Sequence, residues 1–160
     1  MNKDIYIGLG SNLDDPKQQI ISAFDEISHL PETQLRLKSS LYLSFPMGPQ
    51  DQDKYVNAVA KISSLLSPID LLDQLQTIEQ RHHRERKLQQ WGPRTLDLDL
   101  LLYDNRTIDS DRLIVPHYGL KQRSFVLIPL VEIAPELRLP DGSDIQELAK
   151  KIGGQGIQKL

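Results

Sequence analysis

The chain has 160 residues, 39% of them hydrophobic and 26% charged, which suits one domain with a real hydrophobic core. Its formal charge of −3 gives no argument for nucleic-acid binding, and the lack of cysteine excludes disulfides, thiolate metal sites and a catalytic thiol. No apolar run approaches the ~20 residues of a transmembrane helix, and residues 1–5 lack a signal-peptide apolar segment, so a cytoplasmic protein is expected.

Residues 4–9 read as a short buried strand that runs into a turn-rich segment, 10–16. Asp14 or Asp15 can cap a helix whose first position is Pro16 and whose stripe is Ile20, Phe24 and Ile27, reaching about Leu30. Residues 34–44 alternate and predict one strand; 45–53 are broken by two prolines and a glycine; 55–63 alternate again. Ser67-Pro68 opens a helix predicted to about His83, with Leu75 and Ile78 on its buried side. Thr107-Ile108 suggests a short returning strand and 113–118 an extended segment. Residues 122–133 suggest a helix that Pro129 should bend, 144–152 a last short helix, and GGQG a fraying tail. The order β-α-β-β-α-β over the first 102 residues predicts an α+β, ferredoxin-like antiparallel sheet with helices on one face, followed by a C-terminal helical extension.

The most informative stretch is 89–102. Leu96, Leu98, Leu100 and Leu102 recur with period two, and so do Asp97 and Asp99. On a strand the leucines face a core and the two carboxylates lie side by side on the other face, roughly 7 Å apart at Cα. Such a pair is either two ordinary surface carboxylates or a seat for a hard divalent cation such as Mg²⁺. Just upstream stand Arg81, His82, His83, Arg84, Arg86, Lys87 and Arg94, a basic cluster on a mildly acidic chain. A carboxylate pair beside a basic cluster suits a polyphosphate–metal complex. The bland reading of the cluster is a solvated helix end favoured by the helix dipole. Trp91, inside a Gly-Pro loop, is either a lid over a ligand or a packed aromatic.

Other features stay double-edged. Tyr55 and Asn57 share a strand face; they could stack on and read a flat heterocycle, with Phe125 opposite, or simply form a cross-strand packing pair. His117 reads as a phosphate or turn residue rather than a zinc ligand, since His82 and His83 diverge and no third ligand is suitably spaced. Gly8-Leu9-Gly10-Ser11-Asn12 lacks dinucleotide-fold spacing and reads as a tight turn; no P-loop is present.

Four segments together, however, resemble 6-hydroxymethyl-7,8-dihydropterin pyrophosphokinases: residues 6–13; Pro46–Gln52 with Tyr55-Val56-Asn57; Arg84–Asp99 with its core Trp91-Gly92-Pro93-Arg94-Thr95-Leu96-Asp97-Leu98-Asp99; and residues 113–118 with Arg123 and Phe125. The resemblance spans about residues 4–142. It implies transfer of a diphosphate from ATP to the hydroxymethyl oxygen of the reduced pterin, releasing AMP, in folate biosynthesis. It further implies two Mg²⁺ ions on Asp97 and Asp99, and a nucleotide side formed by Gln76, Glu79, Arg84, Trp91, Arg94, Leu100, Arg112, His117, Tyr118 and Arg123. Arg84 and Arg94 would act in catalysis beside the two aspartates. Tyr55 and Phe125 would sandwich the pterin, Asn57 and Ser44 would read its edge, and Asp97 and Trp91 would also meet it. Closure of loops 45–53 and 84–95 would exclude water. The chain departs from the family pattern at Phe45, Gln90 and Ile114.

A monomer acting on small molecules, with no nucleic-acid or membrane partner, is expected. Two other readings compete. An RNA-binding domain on the same fold would need exposed sheet aromatics, and bare carboxylates would repel phosphate. A metal-dependent phosphohydrolase would need no pterin.

Overall fold

The computed structural model describes residues 3–45, 54–83, 95–154 and 156–160. Its centre is β1 (Lys3–Ser11), flanked on one side by β5 (Asp97–Tyr103) and on the other by β4 (Tyr55–Ser64), both antiparallel to it. Beyond β4 lie β2 (Thr33–Lys38), which pairs with its C-terminal half, and β3 (Tyr42–Ser44), which pairs with its N-terminal end. The sheet order β5-β1-β4-β3, with both crossover helices on one face, is the expected ferredoxin-like arrangement.

Those helices are α1 (Pro16–Ser28) and α2 (Pro68–His83). Asp15 accepts from the Gln18 N–H, and Ser67 accepts from the Asp70 N–H, so each helix start has a side-chain cap. Ile20, Phe24 and Ile27 from α1 and Leu71, Leu75 and Ile78 from α2 pack on Ile5, Ile7, Leu9, Leu98 and Leu100 of the sheet. Leu75 is fully buried there. Leu75→Ala is expected to cost about 2–5 kcal/mol, because it combines lost transfer energy with a cavity. Urea unfolding measures this, and a loss under about 1 kcal/mol would mean that α2 is not seated on the sheet in this way.

The C-terminal extension covers the opposite face. After β6 (Ile108–Asp109) and β7 (Ile114–Val115), a short antiparallel ribbon, come α3 (Ser124–Ile133) and α4 (Ile145–Ile152). They pack Val126, Leu127, Leu130, Ile145 and Ala149 against Tyr6, Val59, Leu101 and Leu102. No helix among the described residues is long and apolar enough to cross a membrane.

Five expectations change. The single strand over 34–44 is two strands, broken at Ser39, whose N–H donates to the Val59 carbonyl and whose hydroxyl accepts from the Val59 N–H. Leu102 leaves the leucine face. The β1–β5 register shifts between Tyr6 and Ile7, so Leu101 is an extra residue, and both Leu101 and Leu102 join the second cluster. The Gly8–Gly10 segment is no turn but regular strand, for β1 runs on to Ser11. The C-terminal tail does not simply fray: β8 (Ile157–Lys159) pairs with β3 and extends the sheet. The helix expected over 122–133 starts at Ser124, behind a 3-10 turn at Leu120–Gln122, and is continuous through Pro129.

Candidate active site

The sheet face toward α3 carries the chemistry, because strand period two puts alternate residues there. On β1 that face shows Gly8 and Gly10; on β4, Tyr55 and Asn57; on β5, Asp97 and Asp99; on β3, Tyr42 and Ser44. Pairing aligns them. Gly10 lies opposite both Asn57 and Asp97, and Gly8 lies opposite Asp99. An amide, a bare glycine and a carboxylate therefore form one row across three strands.

A cavity of about 920 Å³ opens over this row. Ser44, Tyr55, Asn57, Asp97 and Asp99 line it from the sheet, and Arg123 and Phe125 line it from the start of α3. Sequence reasoning missed Gly8 and Gly10 as part of its floor, Gln122 on its rim, and Ile152 and Gly156 on its far wall. Glycine at 8 and 10, two apart in a strand, was the available signal. A β-carbon at Gly10 would stand 3.1 Å from Asn57 Nδ2, so the missing side chain is what lets the amide lie over β1. Gly156 could not be found from pattern: it reaches the cavity because its carbonyl accepts the Phe45 N–H at 3.0 Å.

Asn57 is buried, and its Oδ1 accepts the Ser44 hydroxyl at 2.6 Å. That bond orients the amide, directing its N–H₂ away from Ser44. Phe125 is half-buried across the cavity from this pair. Arg123 stacks its guanidinium over the rings of Tyr118 and Phe125, at 5.3 and 5.7 Å. A β-carbon at Gly119 would stand 2.6 Å from Arg123 Nε, so a side chain there would push the guanidinium off its present course.

His117 follows the cis Val115–Pro116 bond. Its Nδ1 accepts the Gly119 N–H at 3.0 Å, so the neutral ring carries its proton on Nε2, which lies 3.8 Å from Asp99 Oδ2. Burial pushes the imidazole below its ordinary pKa, Asp99 pulls it up, and Arg123 pushes it down. Tyr118 stacks on His117 and is exposed.

The remaining expected residues lie apart from the cavity wall. On α2, Gln76 accepts from Arg112, whose guanidinium also pairs with Asp73 at 2.6 Å. Glu79 accepts the Leu98 N–H at 2.8 Å and so fastens α2 to the carboxylate strand. The Leu100 side chain is 3% exposed and packs into the core on the far face, as the leucine period implies, so any nucleotide contact at this position falls to its backbone. Arg84, Trp91 and Arg94, and the two closing loops, lie outside the described residues.

Among the described residues there is no cluster of three or more His, Cys, Asp or Glu fit to hold a metal. Two carboxylates on one strand, opening on a cavity, are a different donor set. They match Mg²⁺, which keeps most of its coordination for water and phosphate oxygens and takes one or two carboxylates from protein. The sheet face that an RNA-binding domain would expose is covered here by α3 and α4.

Comparison with known proteins gives concordant findings. The family model for 7,8-dihydro-6-hydroxymethylpterin-pyrophosphokinase matches residues 6–135. A 2-amino-4-hydroxy-6-hydroxymethyldihydropteridine pyrophosphokinase of Pseudomonas aeruginosa is 50% identical over 160 residues, covering 100% of this chain and 98% of that one. One of Haemophilus influenzae is 52% identical over 155 residues, covering 97% and 96%. A crystal structure of an HPPK-DHPS in complex with substrates superposes with a TM-score of 0.77 at 12% identity, which speaks for the fold alone; it covers 99% of this chain but 46% of that longer one.

Proposed function

The chain belongs to the 7,8-dihydro-6-hydroxymethylpterin-pyrophosphokinase family, and we propose that its cavity divides the work of diphosphate transfer between a pterin slot and a phosphate side. The enzyme is an ATP-dependent diphosphotransferase that moves a diphosphate onto the hydroxymethyl group of the reduced pterin in folate biosynthesis. The observation that carries the division is the row Asn57–Gly10–Asp97 under Phe125.

In this reading, Asn57 presents donor and acceptor to the heterocycle edge while Ser44 holds the amide in orientation. Phe125 and Tyr55 flank the ring faces. Gly10 supplies a flat floor on which the ring extends from Asn57 toward β5. That extension delivers the hydroxymethyl oxygen to the carboxylate pair. Among the described residues lining the cavity, Asp97 and Asp99 are the carboxylates, so the hydroxyl proton is made easier to remove either by one of their oxygens or by coordination of the hydroxyl to a metal they would hold. Arg123, held by two aromatic rings, places a fixed positive charge where phosphate oxygens arrive. Arg84 and Arg94 would add charge and Trp91 would meet the substrates, as the family resemblance implies.

Asp97 and Asp99 would hold two Mg²⁺ ions. Bound there, the ions supply charge neutralisation for the triphosphate and alignment of attacking and leaving oxygens. A monomer in the cytoplasm is part of the same proposal, in keeping with a cysteine-free chain.

Incubation with Mg²⁺, ATP and the hydroxymethyl-dihydropterin, followed by nucleotide separation, tests the reaction. AMP that forms only with pterin present is expected. ADP, or AMP formed equally without pterin, would instead make the protein a different kinase or a phosphohydrolase.

A further inference from the structure

Glu132 lies outside the cavity, yet it connects two of its walls. It shares α3 with Phe125, seven residues earlier, so the two stand on the same side of the helix two turns apart. Its carboxylate accepts the Ser40 N–H at 3.0 and 3.1 Å, the Ser40 hydroxyl at 2.8 Å and the Tyr42 hydroxyl at 2.6 Å. Ser40 precedes β3, and Tyr42 is its first residue. Ser44, on the same face of β3, holds Asn57. Tyr42 is itself the backbone partner of Asn57. One continuous path thus runs from Phe125 along α3 to Glu132, across to Tyr42, and along β3 to the Ser44–Asn57 pair.

The brace has physical reason to matter. β3 has three residues and pairs over three positions with β4 and with β8, so its ladder alone resists displacement weakly. Tyr42 is buried, and its hydroxyl has Glu132 as acceptor. Burial, and then the Glu132 carboxylate, raise the phenol well above its ordinary pKa. Burial alone would raise Glu132, but the Tyr42 and Ser40 hydrogen bonds and the charge of Lys159 on β8 hold it below its ordinary value. Donor and acceptor roles are therefore set at neutral pH: an anion on α3, and three donor groups on the segment leading into and forming β3.

We propose that Glu132 is a positioning residue for the pterin slot: it braces β3 against α3 and so sets the spacing between the Ser44–Asn57 pair and the Phe125 ring. This rests on the assignment of that slot to the pterin. Because the contacts are made at β3, three strands across the sheet from Asp97 and Asp99 on β5, and nine residues along the chain from Arg123, the brace acts on pterin affinity and not on ATP.

Steady-state kinetics with each substrate varied in turn test this on wild type, Glu132→Ala, Glu132→Gln and Tyr42→Phe, with Phe125→Ala as reference. Glu132→Ala is expected to raise the pterin KM roughly three- to tenfold, leaving the ATP KM within about twofold, since a small misplacement of a binding group is costly. Glu132→Gln keeps an acceptor oxygen and should recover part of the loss, and Tyr42→Phe should raise the pterin KM in the same direction by less. If Glu132→Ala does not fold, these two variants carry the test. An unchanged pterin KM in the Glu132 and Tyr42 variants, with Phe125→Ala raising it, overturns the brace while the slot stands. An unchanged pterin KM in Phe125→Ala overturns the slot, and the brace with it. A fall in kcat and melting temperature with both KM values constant marks a merely structural role and also overturns the proposal.

Discussion

Asp97→Ala and Asp99→Ala are each expected to lower kcat by roughly a thousandfold or more, because each removes one of two carboxylates that organise charge around the phosphates. The fold should survive. Both side chains are half-buried at the cavity, whereas β5 is anchored from its other face by Leu98 and Leu100, and at its start by buried Leu96. Their backbone pairing with Gly10 and Gly8 does not depend on the side chains. The unfolding free energy from urea titration should therefore change by no more than about 0.5 kcal/mol. A Mg²⁺ titration separates the roles: loss of a metal seat raises the Mg²⁺ concentration needed for half-activity. A variant that keeps activity within about tenfold of wild type would sink the shared-metal assignment.

Asn57→Ala is expected to lower kcat/KM for the pterin by roughly a hundredfold and to leave the ATP KM nearly unchanged. A site built around an amide loses its complement to the substrate edge when the amide goes. The buried Ser44 hydroxyl also loses its acceptor, so the variant should be about 1–3 kcal/mol less stable. Ser44→Ala distinguishes the two effects. It leaves the amide present but unheld, and should give a smaller loss on the pterin side with a comparable loss of stability, since the buried Asn57 Oδ1 loses its donor. A defect in ATP KM with normal pterin KM would place Asn57 on the wrong substrate.

Much of the fold was legible in the chain because its signals are local. Alternation marked β4 and β5, Pro16 and Pro68 marked the starts of α1 and α2, and their order implied the crossover pattern. What failed was anything set by a partner strand. The break at Ser39 depends on Val59, and the extra residue at Leu101 depends on the β1 register; neither leaves a mark in its own segment. β8 is three residues long, too short to carry a periodicity, and exists because β3 offers an edge.

The candidate site divides in the same way. The order of amino acids alone places Asp97 and Asp99 on one strand face, since that follows from a backbone period of two. It also determined the family, since motifs such as Trp91–Asp99 are a contiguous run. Cross-strand pairing and packing, and no local pattern, set that Gly10 joins Asn57 to Asp97 and that Arg123 lies over two aromatic rings. The same holds for the contact of Glu132, on a helix, with a strand some ninety residues earlier. The physical reason is that a strand's facing is an intrachain property, whereas register, bulges and cross-element hydrogen bonds are settled jointly by segments far apart in the chain.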